Sequence, residues 1–322
     1  MRFVPFAIGS TDAVHVYSDA QRNWLQLRRD VPTAQDIAKP SFKVALSLTT
    51  DERMNRLRFL ISLAAICALG LVAAGPVLAA KPILLYSRYF NADGETRYLP
   101  EGNYQQVLKR LQTQFEVRAN REALTETSLA GVKVILIANP SDQAVGEHSP
   151  PHHFSAADVE VLTRYVRNGG GLIIMGNQEN HNLEVKDTNR LLADFGLGFT
   201  NLYTDGKRLA VPPGTPVIGG LTWAYYTGNL LVLNTNHPAQ PRALVMNDNQ
   251  KPLNGIRNQT GALLAVAELG RGRLVAVTDA GWITNDVLAD KGIGGVVITN
   301  HDNCEIFRRL ACWAAGLSEP AK

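Results

Sequence analysis

From residue 82 onward the chain predicts an α/β protein with a mostly parallel sheet covered on both faces, on two observations. Short apolar runs alternate with segments of helical periodicity. One run, "VKVILIANP", is apolar throughout, as a strand buried on both sides must be.

The elements follow in order. "KPILLYS" reads as a first strand. "EGNYQQVLKRLQTQF" reads as a helix with Tyr104, Val107, Leu108, Leu111 and Phe115 on one face. "FEVRA" is a second strand and "VKVILIANP" a third. After a loop rich in Pro and His, Ser155 and Asp158 stand at capping-box spacing. The helix they open buries Val159, Leu162 and Val166 and stops at Gly169-Gly170-Gly171. "LIIMG" is a fourth strand, and "DTNRLLADFG" a helix closed by Gly196. Residues 199–260 are rich in Pro, Gly, Asn and Thr and read as a β-rich, irregular insertion of short strands and loops within the same domain. "GALLAVAELGRGRLVAVTD" predicts an antiparallel hairpin turning at Gly270-Arg271-Gly272. A helix from Asp302 to Ala315 ends the pattern, with Asp302 and Glu305 again at capping spacing.

Upstream, "MNRLRFLISLAAICALGLVAAGPVLAAKP" has every part of a secretory leader. Arg56 and Arg58 form the basic region, Phe59 to Gly75 the apolar one, and Val77 and Ala79 the small residues before a cleavage site. Residues 54–79 are therefore read as a signal peptide. Residues 1–53, without sustained periodicity, are read as a disordered extension from a start placed too far upstream. The alternative keeps Met1 and makes Phe59–Ala80 a membrane anchor, which meets the roughly 20 residues a span requires. Either way residues 80–322 form a single exported domain, periplasmic or extracellular, and the membrane is touched only through an uncleaved leader.

That part, about 240 residues, suffices for one sizeable core. Net charge is only +3 and no basic stripe appears, which argues against a nucleic-acid partner. Of 3 cysteines, Cys67 lies in the leader, while Cys304 and Cys312 share the terminal helix. Eight helical residues put their Cα atoms about 12 Å apart, too far for a disulfide.

"VKVILIANP", "FSAADVEVLTRYVRNGGGLIIMGNQENHN" and "TNRLLADFGLGF", with "GRGRLVAVTDAGWITND" and "DNCEIFRRLACWAAG", together resemble the class I glutamine amidotransferase-like superfamily. The likeness is to its non-catalytic branch of gliding-motility and intraflagellar-transport type domains and bacterial exported proteins, over most of 82–316. It implies a flavodoxin-like three-layer sandwich and sugar binding. Catalytic members carry a nucleophilic Cys in a tight turn after a sheet strand. Here that turn, Met175-Gly176-Asn177-Gln178, holds neither Cys nor Ser, so amidotransferase activity is not expected.

Ligands of open α/β sheets sit beyond the carboxyl ends of the strands. Those ends carry Arg88; Asn139 and Asp142; Asn177, Glu179 and His181; and Asp279, Trp282, Asn285 and Asp286. Amides, carboxylates and an aromatic face suit a polyhydroxylated ligand. The candidate site is Asn177, Glu179, His181, Asp279, Trp282 and Asn285, set against the ordinary polarity of loops at strand ends. No catalytic residue is assigned. His148, His152 and His153 in "EHSPPHHF" lack a zinc-type pattern and are read as a solvated loop; no metal or cofactor is expected. His237 shows no partner. A Cys304–His301 nucleophile, with a thiol pKa lowered at a helix start, is weighed against a core thiol, which is preferred. Walker A, G-x-S-x-G and dinucleotide fingerprints are absent.

The expected function is an exported, non-enzymatic binding module for a carbohydrate-like small molecule or polysaccharide. One alternative is a sugar-active enzyme, hydrolase or isomerase, using Glu179 or Asp279 as base and His181 or His301 as acid. The other is a scaffold for an envelope protein, engaged through 199–260.

Overall fold

The computed structural model describes residues 80–317, apart from the side chain of Glu179. The leader and the extension before it, 1–79, lie outside the described residues. The sheet has nine strands in the order β2-β1-β3-β4-β11-β10-β8-β5, with β9 also paired to β10. In chain order these are β1 (Ile83–Ser87), β2 (Glu116–Asn120), β3 (Val132–Ala138), β4 (Gly171–Met175), β5 (Leu197–Thr204), β8 (Gly228–Leu233), β9 (Arg242–Met246), β10 (Ala262–Leu269) and β11 (Gly272–Val277). The block from β2 to β11 is parallel throughout. From β10 outward the pairing is antiparallel. Two further strands, β6 (Lys207–Ala210) and β7 (Thr222–Tyr225), form a separate ribbon.

The apolar runs are explained by burial on both sides. Along β4, Ile173 and Met175 join one core while Leu172 and Ile174 join the other. On the first face lie α1 (Gln105–Leu111), the single-turn α4 (Asn285–Leu288) and α5 (Asn303–Ala314), with Val107, Leu111, Ile306, Phe307 and Leu310 contributed by α1 and α5. On the second face lie α2 (Ala156–Arg167) and α3 (Lys186–Ala193), contributing Val159, Leu162, Val166, Leu191 and Leu192. This is the flavodoxin-like three-layer arrangement expected, extended by antiparallel strands on one side. Strands β5 and β8 come from the irregular 199–260 stretch and hydrogen-bond into the main sheet.

Local details follow the residues. Ser155 Oγ accepts the Asp158 N–H while Asp158 Oδ2 accepts the Ser155 N–H, a complete capping box. At Gly171 an added Cβ would meet the Ala314 carbonyl oxygen at 2.5 Å, so only glycine lets α5 end against the start of β4. The predicted cap of α5 is different. Asp302 does not cap its own helix; its Oδ2 accepts the Thr222 N–H at 2.8 Å. Glu305 is taken by Arg308 and Arg309. Asn303, buried between them, accepts from Ala224 N and donates to the carbonyls of Ala224 and Trp282, pinning β7 to the chain beyond β11.

Candidate functional site

The parallel strands β4 and β11 are neighbours, so the residues following them emerge side by side. Between them opens a cleft of about 520 Å³, lined among others by Arg97, Tyr98, Asn177, His181, Asp279 and Ile293. Its floor is assembled by hydrogen bonds that leave no freedom of assignment. The Arg257 guanidinium, which only donates, reaches Gln178 Oε1 at 3.0 Å. The Gln178 amide therefore turns its Nε2 to His181 Nε2, 3.3 Å away. Nε2 of His181 must accept, so the ring proton sits on Nδ1, facing Asn177 Oδ1 at 3.0 Å. That oxygen also accepts the Gln178 N–H at 2.8 Å, and Asn177 Nδ2 donates to the Tyr98 hydroxyl. Burial first, and then the Arg97 charge, hold the His181 pKa below its usual value, which matches the neutral tautomer.

Asp279 is 1% exposed. Its Oδ2 accepts the Tyr226 N–H at 3.0 Å and its Oδ1 the Gly281 N–H at 2.6 Å. Burial lifts this carboxyl to about 6 against the pull of those N–H groups and of Thr227 and Trp282. The carboxylate thus ties the β7–β8 turn to the segment after β11. On the opposite wall Tyr98 holds φ +60°, a conformation costly for a bulky residue, while its carbonyl accepts the Tyr86 hydroxyl at 2.6 Å. Beside it, Arg97 is paired with Glu95.

Of the residues singled out from the sequence, Asn177, His181 and Asp279 meet in the cleft. The side chain of Glu179 lies outside the described residues. Trp282 is a correction: it is 0% exposed, stacked edge-on between Trp223 and Phe307, and offers no face to a ligand. Asn285 is a second correction, because its amide is spent on Gly102 O and Gln106 N at the start of α1. Asp286 lies on the rim. Arg88 is buried and donates to Glu95 O, and Asn139 donates to His181 O, orienting the turn from below.

The histidines outside the cleft separate as well. His301 uses Nε2 on Val287 O and accepts the Asn303 N–H on Nδ1, so it is not a free acid. His237 has a partner after all: its Nδ1 accepts the Ala239 N–H. His152 stacks on Tyr89 at 4.3 Å, whereas His153 reaches the Asp142 carbonyl, so the His-rich loop does not converge as one ligand set. Cys304 is half-buried, and burial pushes its thiol pKa up rather than down. Cys304 is a free thiol, and Cys312 is buried, with Arg308 Nη1 3.9 Å from its Sγ.

Sequence reasoning missed Arg97, Tyr98, Tyr226, Thr227, Asn254 and the pair Asp205–Arg257, joined at 3.0 Å. Asp205 and Tyr226 directly follow β5 and β7, strands within the stretch whose strand ends the sequence did not mark; the others come from loops whose position depends on the tertiary fold.

The family model described as the IFT52 GIFT domain matches residues 89–206. The intraflagellar transport protein 52 homologue of Mus musculus is 26% identical over 112 residues, which is 35% of this chain and 24% of that protein. Its Homo sapiens counterpart is 24% identical over 112 residues, 35% of this chain and 23% of that protein. The alignment thus spans about a quarter of the curated relatives' length. The solved structure described as "mmIFT52 N-terminal domain" superposes with a TM-score of 0.54 at 17% identity, covering 74% of this chain and 100% of that one. This chain therefore shares that domain's fold, and its sequence similarity to the intraflagellar-transport type domain is concentrated in the first half of the described domain.

Proposed function

We propose that residues 80–317 form a non-enzymatic recognition module, exported by the leader that begins at Met54, whose cleft receives part of an envelope protein. The observation that carries this reading is the state of the cleft's reactive groups. His181 engages both ring nitrogens, Asp279 spends both oxygens on backbone N–H groups, and the turn after β4 contains no nucleophile. These groups hold the cleft's shape instead of facing a substrate. The rim supports a protein partner: Ile293 on one lip is 37% exposed, and Leu253 and Ile256, flanking the lining residue Asn254, are 57% and 90% exposed. Apolar residues around a polar floor are what a protein segment buries. Similarity to a domain of an intraflagellar transport protein is in keeping with a scaffold.

A carbohydrate-like ligand is the second reading, supported by the amides and hydroxyls of Asn103, Asn254, Thr227 and Thr284 along the cleft. It lost its aromatic platform with Trp282. The two separate in one experiment. A photo-crosslinking residue is placed at Ile256 and, as control, at the distant, exposed Glu126, in cells producing the full chain. A discrete protein adduct at 256 and none at 126 is expected. No adduct at 256, together with a melting shift by an oligosaccharide, would overturn the protein-partner reading. A ligand at a hundredfold over its Kd stabilises by about 2.7 kcal/mol, which such a shift reveals.

A further inference from the structure

Away from the cleft, the His-rich loop brings one imidazole to the start of α3. Donor atoms of His153, Glu184 and Asp187 lie within 4.8 Å of one another. His153 Nε2 is 2.9 Å from the Asp142 carbonyl oxygen. A carbonyl only accepts, so Nε2 carries the proton. In the neutral ring Nδ1 is then a bare lone pair, and it faces Asp187 Oδ2 at 3.6 Å. Two acceptors point at each other, and neither side chain supplies a donor. Such a pair calls for a cation between them. The carbonyl behind the ring is also the outer contact that orients a metal-bound histidine.

The surroundings hold this geometry. Glu184 is 2% exposed; its carboxylate accepts the N–H groups of Asp187 and Thr188, each at 2.7 Å, and the Thr188 hydroxyl at 2.9 Å. Asp187 gives its other oxygen to Arg190 at 2.6 Å. The loop is fastened to the chain just before Glu184 by the Ser141–Leu183 bridge and by the Asp142 N–H donating to Asn182 O at 3.1 Å. His152, stacked on Tyr89, anchors the residue before the ligand.

We propose that His153, Glu184 and Asp187 bind a first-row divalent metal ion, zinc-like in its preferences, which clamps the His-rich loop onto α3. An imidazole among carboxylates selects such ions over magnesium and calcium, which take oxygen alone. At bond lengths of about 2.0–2.1 Å, tetrahedral ligand atoms stand roughly 3.3 Å apart, so His153 and Asp187 are almost in place and Glu184 closes by at most about 1.5 Å. Arg190 and the N–H groups of α3 offset part of the carboxylate charge. Affinity is therefore below that of a closed, four-ligand site, and the remaining positions are left to water.

The test uses the untagged full chain, stripped of metal, titrated with Co²⁺ while its visible absorption is followed, then with Zn²⁺ to displace it. One Co²⁺ per chain with ligand-field bands is expected, cleared by Zn²⁺ and not by Mg²⁺ or Ca²⁺. His153→Gln should weaken binding at least about tenfold, the scale on which even outer contacts matter. His148→Gln and His152→Gln should not, and circular dichroism checks that each variant is folded. The proposal is overturned by an absence of Co²⁺ bands, by His153→Gln binding like the parent, or by binding that follows His148 or His152. It is overturned too if ¹⁵N shifts show His153 carrying protons on both nitrogens in the presence of Zn²⁺: the cation between the acceptors is then a proton.

Discussion

Arg257 Nη2 lies 3.0 Å from Gln178 Oε1, and this contact, made from a loop 79 positions along the chain, fixes which nitrogen of His181 carries a proton. Arg257 is itself held by Asp205, whose oxygens take its Nε at 3.0 Å and its backbone N–H at 2.7 Å. In the parent, ¹⁵N spectra should show His181 as the Nδ1–H tautomer. Arg257→Ala frees Gln178 to rotate, and the His181 ring should then exchange between tautomers. An unchanged ring in the variant would mean that Asn177 alone sets it.

Asp279 and His181 oppose one another in pH dependence. The folded-state pKa of Asp279 is raised to about 6 from 3.8, so its contribution to stability is full below about pH 3.8 and is lost as pH rises through about 6. At 1.36 kcal/mol per unit this amounts to about 3 kcal/mol. Asp279→Asn lacks that slope. Urea unfolding of parent and variant at pH 4 and pH 7 should show the parent losing stability relative to the variant by about 1–3 kcal/mol at the higher pH. An equal change in both would place the Asp279 carboxyl at its ordinary value.

For His181 the sign is reversed. Its folded-state pKa is lowered by burial, so its contribution is full above the unfolded value of 6.5 and is lost as pH falls through the lower folded value. His181→Gln should remove a stabilisation that the parent gains between pH 5 and pH 7. The readout is the difference in urea midpoint across that window.

Trp282 is a core residue placed directly behind the cleft. Trp282→Ala should cost about 3–5 kcal/mol of unfolding free energy, as truncation of a buried aromatic does. A loss below about 1 kcal/mol would contradict its packing between Trp223 and Phe307.

Ser155→Ala removes one half of the α2 capping box and should lower stability by about 1 kcal/mol. Chemical denaturation measures it, and Ser155→Asp, which can still accept the Asp158 N–H, should retain more of the stability.

Much of the scaffold was legible because its causes are local. Leu172 to Met175 form an unbroken apolar run since both faces of β4 are covered, and Gly270-Arg271-Gly272 announces a hairpin in the chain itself. The site was legible only where it is attached to such a strand. Asn177 and Asp279 follow β4 and β11 directly, and both line the cleft. Trp282 sits three residues beyond Asp279, yet a short helical turn at Gly281–Ile283 rotates it into the core. Asp302 has the spacing of a cap but is drawn off by the Thr222 N–H, a competitor that exists only once β7 has folded alongside. Arg257 and Asp205 find each other and Gln178 across long stretches of chain, and no periodicity records that.

The cleft has two walls of different parentage. Arg97, Tyr98, Asn177, Gln178 and His181 come from the stretch 89–206, where sequence kinship to the intraflagellar-transport type domain is detectable. Tyr226, Thr227, Asn254, Asp279 and Ile293 come from beyond it. The cleft is thus built half inside and half outside that stretch, and neither half closes it alone. Its two walls meet at the seam between β4 and β11, so a small shift between those neighbouring strands would change the width of the cleft without altering a single residue that lines it.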